Sequence, residues 1–296
     1  MQPAIMTYCL ESVLPEGERG VEDVLRLAAR EGMECVEFYA GRWEVDGDRR
    51  RAAESVRKLA DAAGVRMPAY GSGTRLGHLG EQRAACLDEL KAEVEACVIL
   101  GGTVVAFPIV DAHPIAPDRP NATVGVYFER LLPDLVEQAQ ELADFAAGHG
   151  VTISVLNHCF VVYLSWHQKW LIELTGRENC GACADPGNYL HYGHQDAVEA
   201  CQDVANVTKF VRAGDVERTP VADVKAAFAD TGAFAPWRAA SFGEGLIDQE
   251  ACYRALKDGG FDGVVSLKTA GSSPEGPLAA VRQSWAALCA LLERVG

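Results

Sequence analysis

Short apolar runs alternate along the chain with longer amphipathic ones. The short runs fall at residues 4–8, 35–39, 66–70, 103–107, 152–156, 181–185, 208–212 and 263–268. Most are rich in Val, Ile, Phe or Tyr, which is the signature of strands. Between them, apolar residues recur at helical spacing. Val21, Val24, Leu25 and Ala28 share one face over residues 20–31, and Val56, Leu59, Ala60 and Ala63 share one over 52–63. Longer faces follow at 88–100 and 128–147. Gly32, Gly64, Gly101 with Gly102, Gly150, Gly176 and Gly260 stand where each helix hands over to a strand. Helix C-termini favour glycine there because it closes the last turn in the left-handed conformation.

Strands that alternate with helices pair in parallel through right-handed crossovers. Eight such units in 296 residues predict an α/β protein, a closed (β/α)8 TIM barrel, for which about 250 residues is typical. An open doubly wound sheet is the alternative, but no G-x-G-x-x-G follows the first strand. No linker or low-complexity stretch divides the chain, so a single domain over residues 1–296 is expected. The Pro-rich segment 111–121 (DAHPIAPDRPN) and the long connection 231–246 are expected on the active-site face as candidate lids.

Composition narrows the class of function. Hydrophobic residues make up 49% and charged residues 23%, which suits a globular chain with a large core. The formal charge of −15 and a pI near 4.9 would repel a phosphate backbone, so no nucleic-acid partner is expected. A local positive site stays compatible with that charge, because the nearest groups set the field inside a cleft. No apolar run reaches about 18 residues, so no membrane span is expected. The start MQPAIMTYCLESV lacks a basic, apolar leader, and a cytoplasmic location is expected. The ten cysteines read as reduced core thiols. Cys180 and Cys183 lie three apart on one strand and therefore on opposite faces, which argues against a metal or redox pair.

Several phrases, in order, resemble the xylose isomerase-like sugar phosphate isomerases and epimerases. They are VTISVLNH, CADPGN, FVRAGD, SFGEGLID and GVVSLK, and the resemblance runs over essentially the whole chain. In that family four strand ends present Glu, Asp, His and Glu to a divalent metal, and the two glutamates shuttle a proton beside a carbonyl. Carried over, the first glutamate falls on Leu156, the aspartate on Asp185, the histidine on Arg212 and the last glutamate on Lys268. Gly214 replaces the family's lysine, while Asp215 is retained. One carboxylate beside two cations is a poor site for a hard divalent ion. Arg212 and Lys268 would supply, as fixed charges beside Asp185, the positive centre that the ion supplies elsewhere.

The resemblance and the expected strand ends together nominate the site. Lys268 reads as a general base, a Schiff-base nucleophile or a clamp for an enolate or carboxylate, with a salt bridge to Asp185 as the structural alternative. Arg212 suits an anionic group, or an internal pair with Asp185 or Asp215. His158 is an acid or base, or a hydrogen-bonded structural residue. Glu244, inside Gly-Glu-Gly, is a remaining carboxylate base or a turn residue. Asn188 and His191, beyond Asp185, are candidate substrate contacts, although His191 and His194 also read as surface loop. Glu37, Tyr39, Tyr70 and Phe107, with Tyr8 and Cys9, are expected to shape the pocket. Trp166 and Trp170 read as helix packing.

The expected function is metal-independent proton transfer next to a carbonyl, as isomerisation, epimerisation or elimination, on a small sugar-, cyclitol- or acid-like molecule. A Schiff base at Lys268 would extend it to lyase chemistry. A non-catalytic ligand-binding relative is the other class. A conventional metal epimerase, with ligands drawn from Glu244, His158, Asp185 and His191, is the reading for a shifted register. No cofactor is expected, and a homodimer is the default association.

Overall fold

The computed structural model describes all residues except 43–47, 111–124, 159–160, 232–235 and 270. The expected lid at 111–121 and part of the one at 231–246 therefore lie outside the described residues. Among the described residues ten strands form: β1 (Gln2–Met6), β2 (Cys35–Tyr39), β3 (Arg66–Gly71), β4 (Val104–Phe107), β5 (Thr152–Leu156), β6 (Cys180–Ala184), β7 (Thr208–Ala213), β8 (Asp215–Arg218), β9 (Trp237–Ala240) and β10 (Val264–Leu267). Eight of them close in the order β1-β10-β7-β6-β5-β4-β3-β2, all parallel. Because β1 pairs with both β2 and β10, the open doubly wound sheet is excluded, and the fold is a (β/α)8 barrel. The unforeseen pair β8 and β9 forms an antiparallel ribbon, with Asp215 opposite Ala240.

Strand alternation divides the core in two. Outward-facing residues such as Phe38, Tyr70, Val105 and Ile153 join the large apolar layer under the helices. Inward-facing Ala69, Ala106, Leu156, Cys183 and Phe210 pack as a separate cluster inside the barrel. The inner set is mostly small, so one phenylalanine fills the floor beneath the mouth. The six helix-end glycines at 32, 64, 101, 150, 176 and 260 all adopt positive φ, from 61° to 96°.

Two of the strand ends that differ from expectation bear on the site. β1 stops at Met6, and Thr7–Glu11 turn into a short helix, so Tyr8 leaves the strand and enters the mouth. β6 stops at Ala184, and Asp185 caps the helix Pro186–Gly193. Cys180 and Cys183 separate as expected, one into each core layer, and the nine described cysteines are all free. Among the described residues no helix is long and apolar enough to cross a membrane.

Candidate active site

Asp185 is fixed before it meets any ligand. Its backbone N–H donates to Asn157 Oδ1 at 3.1 Å, and its carbonyl accepts from Asn157 Nδ2 at 2.9 Å. Its Oδ1 accepts from the Asn188 N–H at 3.1 Å, while Pro186, which has no N–H, takes the first helical position at no cost. The second carboxylate oxygen, Oδ2, receives the ammonium of Lys268. That ammonium also donates to Asn188 Oδ1 at 2.8 Å. An ammonium only donates, so the amide oxygen must face it. Asn188 Nδ2 is left buried without a partner.

Arg212 forms a second ion pair deeper in the barrel. Its Nε and Nη2 both donate to Glu37 Oε1, at 3.0 and 2.5 Å, and the two side chains are 5% and 0% exposed. The partner is thus Glu37, not the expected Asp185 or Asp215. Burial works against the guanidinium charge, but Glu37 outweighs it and holds Arg212 above its ordinary value. Gly71, at the end of β3, makes room for the pair. A Cβ there would lie 2.6 Å from Arg212 Nη2 and 2.8 Å from Glu37 Oε1.

Asp215 does different work. Its Oδ1 accepts from the backbone N–H groups of Val216 and Ile247, and its Oδ2 from those of Gly243 and Gly245, at 2.9–3.2 Å. The SFGEGLID phrase is therefore a loop wrapped around a buried carboxylate. The wrapping turns Glu244 outward. It is exposed and lines a separate hollow of about 450 Å³ against the C-terminal helix.

Above these pairs lies a cavity of about 440 Å³, whose walls include Tyr8, Tyr39, Arg75, His158, Tyr192 and Lys268. His158 Nε2 sits 3.2 Å from the Tyr192 hydroxyl. Burial pushes the His158 imidazole down to about 4; Lys268 adds to this, Asp185 opposes it, and Arg212 and Arg75 reinforce it. At neutral pH the ring is uncharged and able to accept a proton. A smaller hollow of about 160 Å³ adjoins the cavity across Lys268, Thr269 and Tyr192, and it is lined by Asn188 and His191. His191 is also held below the usual histidine value, by burial first and then by Lys268.

Of the nominated residues, Lys268, Asp185, Asn188, Arg212, Glu37, His158, Tyr39 and His191 gather at this end of the barrel. Tyr70 and Phe107 do not. They belong to the outer core layer, because inward Ala69 and Ala106 set the alternation of β3 and β4 the other way. Trp166 packs edge-on against Phe128, while Trp170 is 52% exposed. Arg75 and Tyr192 line the cavity without having been singled out. The only signal for Arg75 was a basic residue just past a strand's C-terminal end, where barrel chemistry collects.

The described cations and polar groups gather at the C-terminal mouth of a parallel barrel, the end where barrel proteins of this architecture carry their sites. Residues 25–291 match the model for the xylose isomerase-like TIM barrel, and the chain belongs to that family. Among curated proteins none matches the sequence. Solved structures share the fold at low identity. The chain is similar to the IOLI protein with a bound zinc atom (17% identity, 100% of this chain and 99% of that one, TM-score 0.75). It is similar to 3-keto-D-glucoside 4-epimerase YcjR from E. coli (15%, 98% and 99%, TM-score 0.71). It is also similar to the probable 3-DHS dehydratase AsbF of Bacillus anthracis (11%, 98% and 99%, TM-score 0.71).

The residues at the family's metal position do not fit a divalent cation. Leu156 has no donor, Arg212 is a cation held on Glu37, and Lys268 occupies the free oxygen of Asp185. Among the described residues no group of three or more His, Cys, Asp or Glu side chains could hold a metal.

Proposed function

We propose that this protein is a metal-independent enzyme that moves a proton next to a carbonyl on a small sugar-, cyclitol- or acid-like molecule. It would act in the cytoplasm on a free metabolite rather than on nucleic acid, which the net charge of −15 would repel. Proteins of similar structure include a 3-keto-D-glucoside 4-epimerase and a probable 3-DHS dehydratase. One observation carries the reading. The Lys268 ammonium, held by Asp185 and Asn188, lines the same cavity as a neutral His158.

In this mechanism the substrate carbonyl oxygen lies against Lys268. His158 removes the proton from the adjacent carbon, and the electron pair moves onto the oxygen as an enolate. A fixed ammonium aimed at the developing charge lowers the barrier without reorganising at the moment of reaction. For isomerisation, the proton of the hydroxyl on the deprotonated carbon passes to the enolate oxygen, and His158, now an imidazolium, gives its proton to the former carbonyl carbon. For epimerisation, water protonates the opposite face and His158 releases its proton to solvent. Tyr192, hydrogen-bonded to His158, orients the ring. Arg212 supplies a second positive charge from below, and Asp185 and Asn188 keep Lys268 in place.

The test is proton exchange rather than turnover. Chelator-treated protein is incubated in D2O with a panel of ketoses, keto-cyclitols and keto-glycosides, and loss of the α-proton signal is followed by NMR. Exchange that survives chelation and falls by about 10²–10⁴-fold in His158→Gln supports the reading. Exchange that stops on chelation and returns with a divalent ion would overturn it. A second reading, a ligand-binding relative without turnover, is favoured by the engagement of both Lys268 and Arg212 with internal carboxylates. It predicts binding with no exchange on any member of the panel.

A further inference from the structure

Isomerisation moves two protons, one between carbons and one between oxygens. His158 serves the first. The second needs a group that accepts a proton from the hydroxyl and gives it up to the enolate oxygen. The hollow of about 160 Å³ stands where such a group is needed, because it shares Tyr192, Lys268 and Thr269 with the main cavity. A carbonyl oxygen set against the Lys268 ammonium lies between the two spaces, and a hydroxyl on the next carbon can enter the smaller one. Among the described residues, the titratable side chains around the hollow are Asp185, His191, Tyr192, Asp215 and Lys268. Asp185 has both oxygens engaged, Oδ1 by the Asn188 N–H and Oδ2 by Lys268. Asp215 has both wrapped by backbone N–H groups. The Lys268 ammonium only donates, and the Tyr192 hydroxyl already meets His158. His191 is left.

Local structure sets where that ring stands. Asn188 and His191 are three residues apart in the helix Pro186–Gly193 and so share a face. Lys268 donates to Asn188 Oδ1 at 2.8 Å, which turns this face toward the ammonium. Tyr189 is two residues before His191 and therefore on the far side of the helix. It is 0% exposed and donates its hydroxyl to Gln168. Gln168 in turn donates to the Val155 and Cys183 carbonyls, at 2.7 and 3.1 Å, so the helix is tied to β5 and β6 and cannot roll. His191 is half-buried and lies edge-on to the Tyr192 ring, with centroids 4.5 Å apart, while His158 meets the same ring at 5.1 Å. Among the described residues neither ring nitrogen of His191 makes a hydrogen bond. The imidazole is held below its ordinary value, by burial first and then by Lys268. At pH 7 it is neutral, with one nitrogen that accepts a proton and one that donates.

We propose that His191 is a second catalytic residue, which carries the hydroxyl proton of the substrate to the enolate oxygen from the small hollow. This rests on the proton-transfer reading of the main cavity given above. His158 takes the proton from carbon, and the electron pair moves onto the carbonyl oxygen. The O–H bond on that carbon then breaks toward a His191 nitrogen, and His191 delivers the same proton to the enolate oxygen, so one enolate is exchanged for the other. The new enolate closes to a carbonyl as His158 returns its proton to the former carbonyl carbon. No proton or electron is gained or lost. The substrate is thereby an α-hydroxy ketone or aldehyde, and the product is its carbonyl-shifted isomer.

The experiment compares the full chain with His191→Gln, using D-fructose, D-tagatose and D-xylulose in D2O and NMR detection. Two rates are read for each probe: deuterium entering the carbon beside the carbonyl, and aldose formed. Exchange draws on His158, whereas aldose formation draws on both histidines. His191→Gln should lower aldose formation by about 10²–10⁴-fold. It should also raise the number of exchange events per aldose formed by about tenfold or more. A purely structural loss would lower both rates together and leave their ratio unmoved. If His191→Gln does not fold, His191→Phe, which keeps an aromatic ring against Tyr192, is read in the same way. An unmoved ratio in a folded variant overturns the role of His191. So does a wild type that exchanges or epimerises these probes but forms no aldose, and in both cases the role of His158 and Lys268 stands. A wild type that exchanges none of the probes overturns both readings.

Discussion

The Lys268 ammonium lies on the Asp185 carboxylate at the mouth of the barrel, and the two come from strand ends 83 residues apart in sequence. Asp185 is 0% exposed and Lys268 20% exposed. Removing one member of such a pair strands the other's charge, whereas removing both together is far milder. Lys268→Met is expected to cost about 3–5 kcal/mol of stability, and Asp185→Asn combined with Lys268→Met to recover most of it. Urea unfolding of the two variants reads this directly. An unchanged midpoint for Lys268→Met would mean that the pair is incidental to the fold.

The Glu37–Arg212 pair makes a sharper case, because both side chains are almost fully buried. Glu37→Gln keeps the shape but removes the charge that holds the guanidinium. We expect a loss of about 3 kcal/mol or more, accompanied by weakened turnover as the fork shifts in the barrel. Glu37→Gln with Arg212→Met should be less destabilised than Glu37→Gln alone. Equal midpoints for the single and double variants would show that no charge had been stranded.

Acid should weaken the fold through two histidines. His158 and His167 are both held down to about 4, His167 by burial alone and His158 by burial and then by neighbouring cations. Their pKa values are depressed relative to the unfolded chain, so each stabilises the fold fully above pH about 6.5. That contribution is lost as pH falls from about 6.5 toward 4, where the unfolded state takes up protons first. Each is worth on the order of 3 kcal/mol over that window. His167 stacks on Phe128 with ring centroids 4.2 Å apart, so His167→Phe keeps the aromatic packing and removes the titration. Its stability should fall less steeply between pH 6.5 and 4 than that of the wild type. A parallel slope would rule out linkage at His167.

Much of the barrel was legible because it rests on repeating local rules. Alternation and helical spacing gave all eight barrel strands, and residues 35–39 and 152–156 match β2 and β5 at both ends. The glycines at helix ends were legible for the same reason. At the candidate site, strand register and the family resemblance together nominated Asp185, Arg212, Lys268, Asn188, Glu37, His158, Tyr39 and His191, which gather at the mouth. Partner choice was not legible. Glu37 lies 175 residues from Arg212, and only barrel closure, with Gly71 left open beside the pair, decides that the guanidinium turns toward β2. Asp215, offered as an alternative partner for Arg212, instead accepts from its neighbour Val216 and from backbone N–H groups of the loop around Gly243–Ile247, which carry no side-chain signal. The ribbon of β8 and β9 went unseen because each strand is four residues long and lacks a clear apolar alternation.

The metal question can be put to the chain by reversing its own substitutions. Leu156, Arg212 and Lys268 stand at strand ends around Asp185. Leu156→Glu, Arg212→His and Lys268→Glu together would replace an aliphatic group and two cations with hard ligands, and would free the Asp185 carboxylate now engaged by Lys268. Empty, that site gathers carboxylates that repel one another, so the triple variant should be less stable than wild type until an ion binds. A divalent ion that binds only the folded state raises the melting temperature in proportion to its occupancy. Manganese or zinc should therefore lift the melting temperature of the triple variant and bind at about one equivalent. The wild type should show neither effect, and chelator should leave its proton exchange unchanged. A wild-type protein that retains about one equivalent of metal through purification, and loses exchange when it is stripped, would return this site to the ordinary chemistry of its family.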